Sequence, residues 1–423
     1  MDEMVTTLNK LCSFKSVAQR TEDPENPYGE EVRKALDFML ETCSGMGFRV
    51  KNLDNQVGYA EIGEGEEIFG ILAHLDVVPV GSGWDYEPWA ATLGEDGKLY
   101  GRGVVDDKGP AVASVYAMKD LLESGKKLNK RIRIIFGQTE EAGSWDDMKY
   151  YKEHEELPVM GITPDADFPA IYGEKGILHF TLSMPIKKAG FLEVSGGQAS
   201  NMVADEAKAK VNCEGVVRDF YEQGKAAHGS MPEDGKNAIS MLMMEVGYAT
   251  ERCGLANFYN KCIGFDIHGE RLGVDYEDKE SGRLSLNVGK IEMDQENVTL
   301  YLDIRHPVTQ NIDELTAKIR ETVEPYGITM KVNEYKPPVY MDKDGELIKT
   351  LVDVYHEVTG LEGEAKVIGG GTYARAMDNI VAFGPLIPGR ELTEHQKNER
   401  LPLEDFLLLR KIYKEAFLRI CTE

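Results

Sequence analysis

The sequence predicts an α/β protein with a mixed sheet, into which a separate α+β domain is inserted. Short apolar runs that end in polar residues alternate with amphipathic helices in the first part of the chain. After Tyr172 the pattern changes to strands and helices that share one half-polar sheet. The first pattern returns near Pro337 and Pro338. We therefore expect a first domain of residues 1–172 and 337–423, with residues 173–336 inserted as the second domain.

The composition narrows the class of protein. At 423 residues, of which 42% are hydrophobic, the chain is long enough for two domains that each bury a core. No apolar run approaches the roughly 20 residues that span a bilayer, and the amino terminus lacks signal-peptide features. A cytoplasmic protein without membrane association is therefore expected. The net charge of −25 argues against a nucleic-acid partner, and the six scattered cysteines are predicted to be reduced.

The first candidate site residues follow the apolar run Ile68–Ala73. This run predicts a buried strand that delivers His74 to its carboxyl end, where open α/β sheets hold their ligands. Asp76 lies two residues further along, on the same side of an extended chain. Since a metal-bound imidazole usually donates its second N–H to a carboxylate, we predict that His74 is a metal ligand and that Asp76 orients it.

A glycine-rich turn with two adjacent carboxylates, Asp106 and Asp107, comes next. It precedes a predicted helix from Pro110 to Glu123, which Gly125 ends. Asp107 alone fits an N-terminal helix cap as well as it fits a metal site. Asp106 is better explained by metal binding, because no Gly-Lys-Ser/Thr follows that would indicate a phosphate-binding loop.

Two further acidic segments follow predicted strands. The strand Arg131–Phe136 leads to Glu140 and Glu141, and two buried carboxylates side by side are costly without a cation. A metal ion removes that cost for one of them and leaves the other free to act as a base. A short apolar run later leads to Asp165 and Asp167, either of which is also a typical turn residue.

The remaining elements are predicted from periodicity and from turn and cap residues. The predicted helices are Glu30–Cys43, Asn237–Thr250, Ile312–Val323, Glu346–Val358 and a last helix that begins with Pro402. The predicted strands are a hairpin pair within Phe48–Ile62, then 176–184, 207–217, Ser285–Met293, Asn297–Arg305 and Ile380–Gly384. On the strictly alternating strand Asn297–Arg305, Arg305 lies on the polar face together with Asp303.

The order of these motifs resembles one family, the co-catalytic metallopeptidases. The similar segments are His-x-Asp at His74, Gly-Arg-Gly-x-x-Asp-Asp-Lys-Gly from Gly101, Glu-Glu-x-Gly at Glu140, Pro-Asp-Ala-Asp from Pro164, and the late His395. The family includes acetylornithine deacetylase, succinyl-diaminopimelate desuccinylase, glutamate carboxypeptidase and the PepV-type dipeptidases, and the chain resembles the last group most. The resemblance covers most of the chain. It implies a mixed-sheet zinc-peptidase catalytic domain with an inserted α+β lid domain.

The resemblance implies a site for two divalent metal ions in each chain. Asp106 is expected to bridge the ions, and the peptide bond after Asp106 is expected to be cis. His74 and Asp165 are expected to be the other ligands of one ion, and Glu141 and His395 the other ligands of the second ion. Zinc is the expected metal, with manganese or cobalt as alternatives.

Three residues are implied to act in catalysis, namely Glu140, Asp76 and His228. A hydroxide that bridges the metal ions is expected to attack the amide bond, with Glu140 as the general base. Asp76 is expected to orient the ligand His74. His228, in the segment Ala226–Pro232, matches the lid histidine of the family, which helps to hold the oxyanion of the tetrahedral intermediate.

The resemblance also implies residues that bind the ends of the substrate. Arg305 is expected to grip the substrate carboxylate, and the alternative for Arg305 is an ion pair with Asp303. His179 and the four other histidines outside the motifs are expected to be ordinary packed or surface residues. The expected substrate-binding residues are Asn201, Arg305, Gly370, Gly371 and Thr372.

The predicted function is metal-dependent hydrolysis of dipeptides or short peptides with a free C-terminal carboxylate, by a monomer rather than a homodimer. An N-acyl amino acid deacylase or a carboxypeptidase of the same family is the alternative, since all of these enzymes share the metal site. A non-catalytic ligand-binding descendant of the fold is a third hypothesis. It is disfavoured because such proteins normally lose ligands or the base, and all six positions are present here.

Overall fold

The structure is a computed structural model that describes residues 2–422. The chain forms two compact units. The first unit consists of Met1–Tyr172, Met341–Lys366 and Thr372–Glu423, and the second unit of Gly173–Tyr340 and Val367–Gly371. The long middle segment of the second unit therefore ends at Tyr340 rather than at residue 336, and the unit also takes in the glycine loop Val367–Gly371. The role of the second unit as a lid stays a prediction.

The helices and strands are numbered here in chain order. The α-helices are α1 Glu3–Cys12, α2 Glu30–Gly45, α3 Lys108–Ser124, α4 Asp146–His154, α5 Ile186–Ala189, α6 Ala238–Ala249, α7 Gly254–Cys262, α8 Ile312–Val323, α9 Glu346–Thr359 and α10 Leu403–Cys421. The strands of the first half are β1 Arg49–Leu53, β2 Val57–Ile62, β3 Ile68–His74, β4 Thr92–Leu93, β5 Lys98–Tyr100, β6 Arg131–Gly137, β7 Met160–Thr163, β8 Ala166–Asp167, β9 Ile171–Glu174, β10 Gly176–Pro185, β11 Phe191–Gly197 and β12 Glu206–Cys213. The remaining strands are β13 Val216–Gln223, β14 Glu277–Asp278, β15 Gly282–Arg283, β16 Ser285–Met293, β17 Asn297–His306, β18 Thr329–Lys336, β19 Val339–Tyr340, β20 Lys366–Ile368, β21 Ile380–Ala382, β22 Pro385–Leu386 and β23 Arg400–Pro402.

The main sheet of the first unit is mixed, as predicted. Its strands lie in the order β1-β2-β6-β3-β7-β21. The strands β1, β2 and β6 are antiparallel neighbours, whereas β6, β3, β7 and β21 run parallel. Parallel neighbours end at the same edge of a sheet, so the segments that follow β3, β6 and β7 come together there. This edge carries most of the candidate site.

The helix α3 is central to the first unit. Every residue from Lys108 to Met118 is buried, and the helix packs against α10 and contacts β3. The helix begins at Lys108, two residues before the predicted start. Only glycine fits at Gly109, because a Cβ atom there would lie 2.1 Å from the carbonyl oxygen of Val104. This close approach explains the glycine that follows the two aspartates.

A small sheet of β4, β5 and β23 joins two distant parts of the first unit. The strand β23 pairs antiparallel with β5, and Arg400 lies opposite Tyr100. The segment before β23 carries His395, and the segment after β5 carries Asp106. The pairing therefore brings the late histidine loop next to the acidic turn.

The second unit contains a seven-stranded antiparallel sheet in the order β13-β12-β11-β16-β17-β10-β18. Buried residues of α6, α7 and α8 form one hydrophobic core with residues of these strands. In the register of β10 with β17, Ile177 lies opposite Arg305 and His179 lies opposite Asp303. An α+β unit of this kind was predicted.

Most predicted elements are confirmed within two or three residues. The predicted strand 207–217 is wrong at its end, because Glu214, with φ of 55°, and Gly215 form a turn between β12 and β13. The helices α1, α4, α5 and α7, the strands β11 and β18 and several two- or three-residue strands, β23 among them, were not predicted. All six cysteines are unpaired and buried, as predicted. Among residues 2–422, no helix combines the length and apolar character needed to cross a bilayer.

Candidate active site

The candidate site lies where three parallel strands of the first unit end. His74 is the last residue of β3, Glu140 and Glu141 follow β6, and Asp165 follows β7. The turn after β5 contributes Asp106, and the loop before β23 contributes His395. These six side chains form two groups, and within each group the donor atoms lie within 4.8 Å of one another. The groups are His74, Glu140 and Asp165, and Asp106, Glu141 and His395.

The carboxylate of Asp106 connects the two groups. Its Oδ1 lies 2.9 Å from Nε2 of His74, and its Oδ2 lies 3.0 Å from Nε2 of His395. Nε2 of His395 is also 3.0 Å from Oε1 of Glu141, and Nε2 of His74 is 3.8 Å from Oδ2 of Asp165. Each oxygen of Asp106 therefore faces a different group. The peptide bond between Asp106 and Asp107 is cis, as the resemblance implied.

The donor set fits divalent cations. Ligands about 2.0–2.1 Å from a tetrahedral zinc ion lie roughly 3.4 Å from one another. The four contacts His74–Asp106, His74–Asp165, His395–Asp106 and His395–Glu141 measure 2.9 to 3.8 Å. Two imidazoles face four carboxylates, so the acidic charge exceeds what both histidines can balance even when protonated. Nitrogen and oxygen donors in this mixture are typical of zinc and manganese sites.

The acidic groups shift one another's protonation. Burial, together with the charge of Asp106, raises the pKa of Glu141 to about 7 and that of Asp165 to about 6. Burial and the charge of Asp165 raise the pKa of Glu140 well above its ordinary value. Burial acts to raise the pKa of Asp106, but contact with His395 and His74 holds this pKa below its ordinary value. The protein alone therefore does not keep all four carboxyl groups ionised at neutral pH.

Asp76 lies beside His74 through both its backbone carbonyl group and its carboxylate, and its role in orienting His74 stays a prediction. Nδ1 of His74 lies 3.0 Å from the backbone carbonyl oxygen of Asp76, whereas the Asp76 carboxylate is 3.6 Å away. The carboxylate instead accepts hydrogen bonds from the backbone N–H groups of Glu140 and Glu141, at 3.2 and 3.0 Å. The backbone carbonyl group of Asp76 is therefore the nearer acceptor for the imidazole of His74. Asp76 thus holds both His74 and the Glu140–Glu141 turn.

Sequence reasoning missed several residues that support the site. Asp107 precedes α3 but makes no capping hydrogen bond with its side chain; its Oδ2 accepts the backbone N–H of His74 at 3.1 Å. Asp147, which is buried, accepts hydrogen bonds from the hydroxyl groups of Tyr373 at 2.6 Å and Thr139 at 2.8 Å. These contacts fix the segment that leads to Glu140. No motif identifies Asp147, because it lies in a charged segment that carries no strand or turn signal.

In the second unit, Arg305 forms the predicted alternative, an ion pair with Asp303. Nε of Arg305 donates to Oδ1 and Oδ2 of Asp303 at 2.8 and 3.1 Å, and a terminal nitrogen donates to Oδ2 at 2.8 Å. The other terminal nitrogen donates to the carbonyl oxygen of Gly369 at 3.0 Å. His179, expected to be an ordinary residue, lies 3.0 Å from Oε2 of Glu334 and 3.6 Å from Oδ1 of Asp303. Arg305 therefore connects a buried charge network to the glycine loop.

The other expected substrate-binding residues of the second unit lie close to this network. Met202 and His228 form an isolated β-bridge, and the N–H of Gly229 donates to the carbonyl oxygen of Asn201 at 2.7 Å. The Nδ1 atom of His228 lies 2.6 Å from the hydroxyl oxygen of Ser230. A Cβ atom on Gly369 would lie 3.2 Å from Cβ of Ser230, so the glycine loop passes beside the His228 segment.

The glycine loop itself is divided between the two units. Gly370 and Gly371 belong to the second unit, and Thr372 belongs to the first. Thr372 is buried, and its hydroxyl group accepts a hydrogen bond from the N–H of Ala374 at 3.1 Å. Thr372 thereby caps the short helix that carries Tyr373.

Comparison with known proteins identifies the family. Residues 70–419 match the model of the peptidase family M20/M25/M40. The chain belongs to this family. The match spans the candidate ligands from His74 to His395, and it confirms the resemblance inferred from the motifs.

Curated relatives of this M20 family member cover nearly its whole length. The protein named "Putative dipeptidase YtjP" of Bacillus subtilis (strain 168) is 36% identical over 458 residues, which cover 99% of this chain and 97% of the relative. The protein named "Putative dipeptidase SSP1012" of Staphylococcus saprophyticus is 34% identical over 460 residues, which cover 100% of this chain and 98% of the relative.

Solved structures share the fold of this M20 family member. Human carnosine dipeptidase 1 matches with a TM-score of 0.66 at 17% identity, over 99% of this chain and 96% of that protein. The YXEP protein of Bacillus subtilis, described as a dinuclear metal binding peptidase from the M20 family, matches with a TM-score of 0.55 at 10% identity, over 99% and 98% of the two chains. At these identities the likeness shows the fold, a mixed α/β architecture in agreement with the prediction.

Proposed function

We propose that this chain is a metal-dependent dipeptidase that hydrolyses the amide bond of dipeptides or short peptides with a free C-terminal carboxylate. The observation that carries the proposal is the meeting of two imidazoles and four carboxylates at one sheet edge, within a chain of the M20 family. The relatives that are 36% and 34% identical, both named as dipeptidases, support the substrate class.

The proposed cofactor is a pair of divalent metal ions, with zinc as the expected metal and manganese or cobalt as alternatives. His74 and Asp165 are proposed to hold one ion, Glu141 and His395 the other, and Asp106 both. The contact of each Asp106 oxygen with a different histidine supports this assignment. When bound, such ions polarise a carbonyl group and lower the pKa of water.

Glu140 is proposed to be the general base. Its carboxylate lies within 4.8 Å of the donor atoms of His74 and Asp165, close enough to exchange a proton with water at the site. Burial raises the pKa of Glu140 above its ordinary value, towards the range in which a carboxylate both accepts and returns a proton. Glu140 is thus proposed to take a proton from the attacking water and to give it to the leaving amine. The hydrogen bond from its N–H to Asp76 keeps this turn in place.

Arg305 is proposed to bind the carboxylate of the substrate, with Asn201 and the loop Gly370-Gly371-Thr372 as further substrate-binding residues. A guanidinium group has five N–H donors, and three are used by Asp303 and Gly369 among the described contacts. One N–H on each terminal nitrogen remains for a carboxylate. Asp303 holds the guanidinium in a fixed plane, which lowers the entropy lost on binding. His228 is proposed to help hold the oxyanion.

The proposed role of Glu140 is tested by Glu140→Gln. We expect kcat for a dipeptide to fall by about 10²–10⁴-fold, because a positioned proton carrier contributes about that much to the rate. Metal content, measured by atomic absorption after dialysis, is expected to stay at two ions per chain. Glu61→Gln is the control, since Glu61 is another buried glutamate on β2, outside the site. Full activity of Glu140→Gln would rule out the proposed role.

The proposed substrate class is tested by matched substrates. A dipeptide, the same dipeptide with a C-terminal amide, and the N-acetyl and N-succinyl derivatives of its second residue are assayed with zinc, manganese or cobalt. We expect rapid hydrolysis of the dipeptide and slow hydrolysis of the amide, in which Arg305 has no carboxylate to bind. Faster hydrolysis of the N-acyl amino acids would instead identify a deacylase. The monomeric state and the cytoplasmic location stay predictions.

A further inference from the structure

A buried carboxylate, Glu399, lies between the acidic turn and the histidine loop of the first unit. Its side chain is fully buried. Oε1 accepts hydrogen bonds from the backbone N–H groups of Gly103 and Val105 at 3.0 Å and of Asp106 at 3.3 Å. A single carboxylate oxygen therefore organises the turn that places Asp106 at the site.

Arg102 supplies the balancing charge. Its terminal nitrogen lies 2.6 Å from Oε2 of Glu399, and the Arg102 side chain is 2% exposed. The guanidinium group also lies over the ring of Trp84, 5.4 Å from its centre. A buried carboxylate is tolerated when it has both a cation and several hydrogen-bond donors, and Glu399 has both. The two oxygens of Glu399 thus have separate partners, since one binds the turn and the other binds Arg102.

The position of Glu399 in the chain is the second observation. Glu399 follows His395 by four residues and directly precedes β23, which pairs with β5. Its carbonyl oxygen accepts the N–H of Gly101 at 3.0 Å. The same residue is thus bound to the turn through its backbone and through its side chain. Because His395 lies on the short loop that Glu399 closes, any movement of the turn against this loop breaks these hydrogen bonds.

The loop needs such an anchor because two of its residues have unfavourable backbone conformations. His395 has φ of 60° and Asn398 has φ of 56°, both in the left-handed region. This conformation costs a residue such as His395 about 1–2 kcal/mol, and asparagine tolerates it better. The Asn398 side chain is held by Asp85, at 2.7 Å. The hydrogen bonds of Asn398 and the buried hydrogen bonds of Glu399, at the end of the loop, offset this cost. They thereby keep the imidazole of His395 near Asp106.

We propose that Glu399 is a positioning residue that fixes Asp106 relative to His395 and thereby sets the affinity of the ion held by Asp106, Glu141 and His395. This inference rests on the metal site of the proposed function. Glu399 touches neither the substrate nor a metal ion. It acts through the backbone of Asp106, whose two oxygens lie 2.9 and 3.0 Å from the two histidines. Residues that support a ligand from behind typically change metal affinity about 10–100-fold.

The test is a titration of metal-free protein with cobalt(II), in which the visible absorption reports the number, affinity and geometry of the bound ions. Glu399→Gln keeps the shape of the side chain but replaces one acceptor oxygen by an amide nitrogen, which faces N–H donors in either orientation, those of Arg102 or those of the turn. Glu399→Asp keeps the charge and the ion pair, so the fold is retained, but the shorter side chain no longer reaches the three N–H groups together. For both variants we expect about 10–100-fold weaker binding of the ion held by Asp106, Glu141 and His395, with an altered spectrum. We expect a smaller loss for the ion held by His74, Asp165 and Asp106, because that ion shares Asp106 but not the His395 loop.

The control is another buried Arg–Glu pair of the first unit. Glu61 is 5% exposed, and its Oε2 lies 2.7 Å from Arg133 on the neighbouring strand. Glu61→Gln is expected to lower the melting temperature, as Glu399→Gln does, but to leave both cobalt affinities and the spectrum unchanged. A purely structural role of Glu399 would make the two variants behave alike.

Two results overturn the proposal. One is wild-type affinity for both ions in Glu399→Asp, and the other is an equal loss of affinity in Glu61→Gln. If the wild-type protein itself binds no cobalt, zinc or manganese, the metal site of the proposed function fails instead. The two failures are therefore distinguishable in a single titration series.

Discussion

Two buried aspartates, Asp106 in the first unit and Asp303 in the second, contrast in how their charge is balanced. Asp303 is fully buried and receives three hydrogen bonds from Arg305, and His179 lies nearby. Although burial raises it, the charge of Arg305 lowers the pKa of Asp303 below its ordinary value. Asp303 therefore has a permanent cation of its own in the chain.

Within residues 2–422, Asp106 has no arginine or lysine as an ion-pair partner. Its neighbours are two histidines and three further carboxylates, and the pKa of each of those carboxyl groups is raised. The comparison teaches that burial of a carboxylate alone does not identify a metal site. Around Asp106, the carboxylates outnumber the cationic side chains. Around Asp303, in contrast, Arg305 balances the charge. Four substitutions test this difference.

The largest expected effect is that of Asp303→Asn. Removal of one partner of a buried ion pair costs about 3–5 kcal/mol, because the remaining charge stays buried without compensation. We expect the free energy of unfolding of the metal-free protein, measured by urea denaturation, to fall by this amount, with metal affinity unchanged. Asp106→Asn is the matched variant. We expect a smaller loss of unfolding free energy for it, because the substitution removes one of four mutually repelling carboxylates. An equal loss in both variants would contradict the comparison.

An intermediate effect is expected for His179→Gln, and it depends on pH. Although burial opposes it, contact with Asp303 and Glu334 raises the pKa of His179 from 6.5 to about 9. The positive charge of Arg305, which also contacts Asp303, acts to lower the pKa of His179. The protonated imidazole therefore stabilises the fold fully below pH 6.5, and this contribution is lost as the pH rises through 9.

The size of that contribution is limited by exposure. The His179 side chain is 21% exposed, so about 1–2 kcal/mol is expected after allowance for screening. The measurement is the melting temperature of both proteins between about pH 6 and pH 10. Wild-type protein is expected to lose this increment over the interval, and His179→Gln is not. Parallel curves for the two proteins would show that His179 carries no stabilising charge.

The smallest expected effect, and the only stabilising one, is that of Glu140→Gln on the metal-free protein. The pKa of Glu140 is raised above its ordinary value of 4.5, so its ionised form destabilises the folded state at neutral pH. The neutral amide removes this penalty. We expect the free energy of unfolding at pH 7 to rise by about 0.5–2 kcal/mol, the range usual for stabilising substitutions. If Glu140→Gln melts at a lower temperature than wild-type protein in the presence of a chelator, the ionised Glu140 carboxylate does not destabilise the fold.

The sequence predicted the part of the site that depends on strand ends. His74, Glu141 and Asp165 each follow a short apolar run, which predicts that they lie at strand ends. The resemblance to the family singled out Asp165 and Glu141 as ligands, and the parallel pairing of β3, β6 and β7 brings the three strand ends together. His395 follows no such run, and only the family resemblance identified it. The structure brings all of these side chains together.

The supporting contacts were not predictable, for a physical reason. Glu399 lies in the polar segment Gln396–Arg400, which in isolation indicates a solvated loop. It is buried only because β23 pairs with β5, a contact between segments about three hundred residues apart in the chain. The contact of His74 with the carbonyl oxygen of Asp76 was likewise missed, because sequence patterns identify reactive side chains and not backbone acceptors. Local patterns indicate which groups are reactive, whereas long-range packing decides which groups hold them.

The pairing of β5 with β23 also has a consequence for protein synthesis. A ribosome translates β3, β6, β7 and the whole second unit before it reaches residue 395. Until that stretch emerges, the nascent chain has the candidate acidic ligands but lacks His395 and the strand that pairs with β5. The complete set of proposed metal ligands therefore assembles only as translation nears completion.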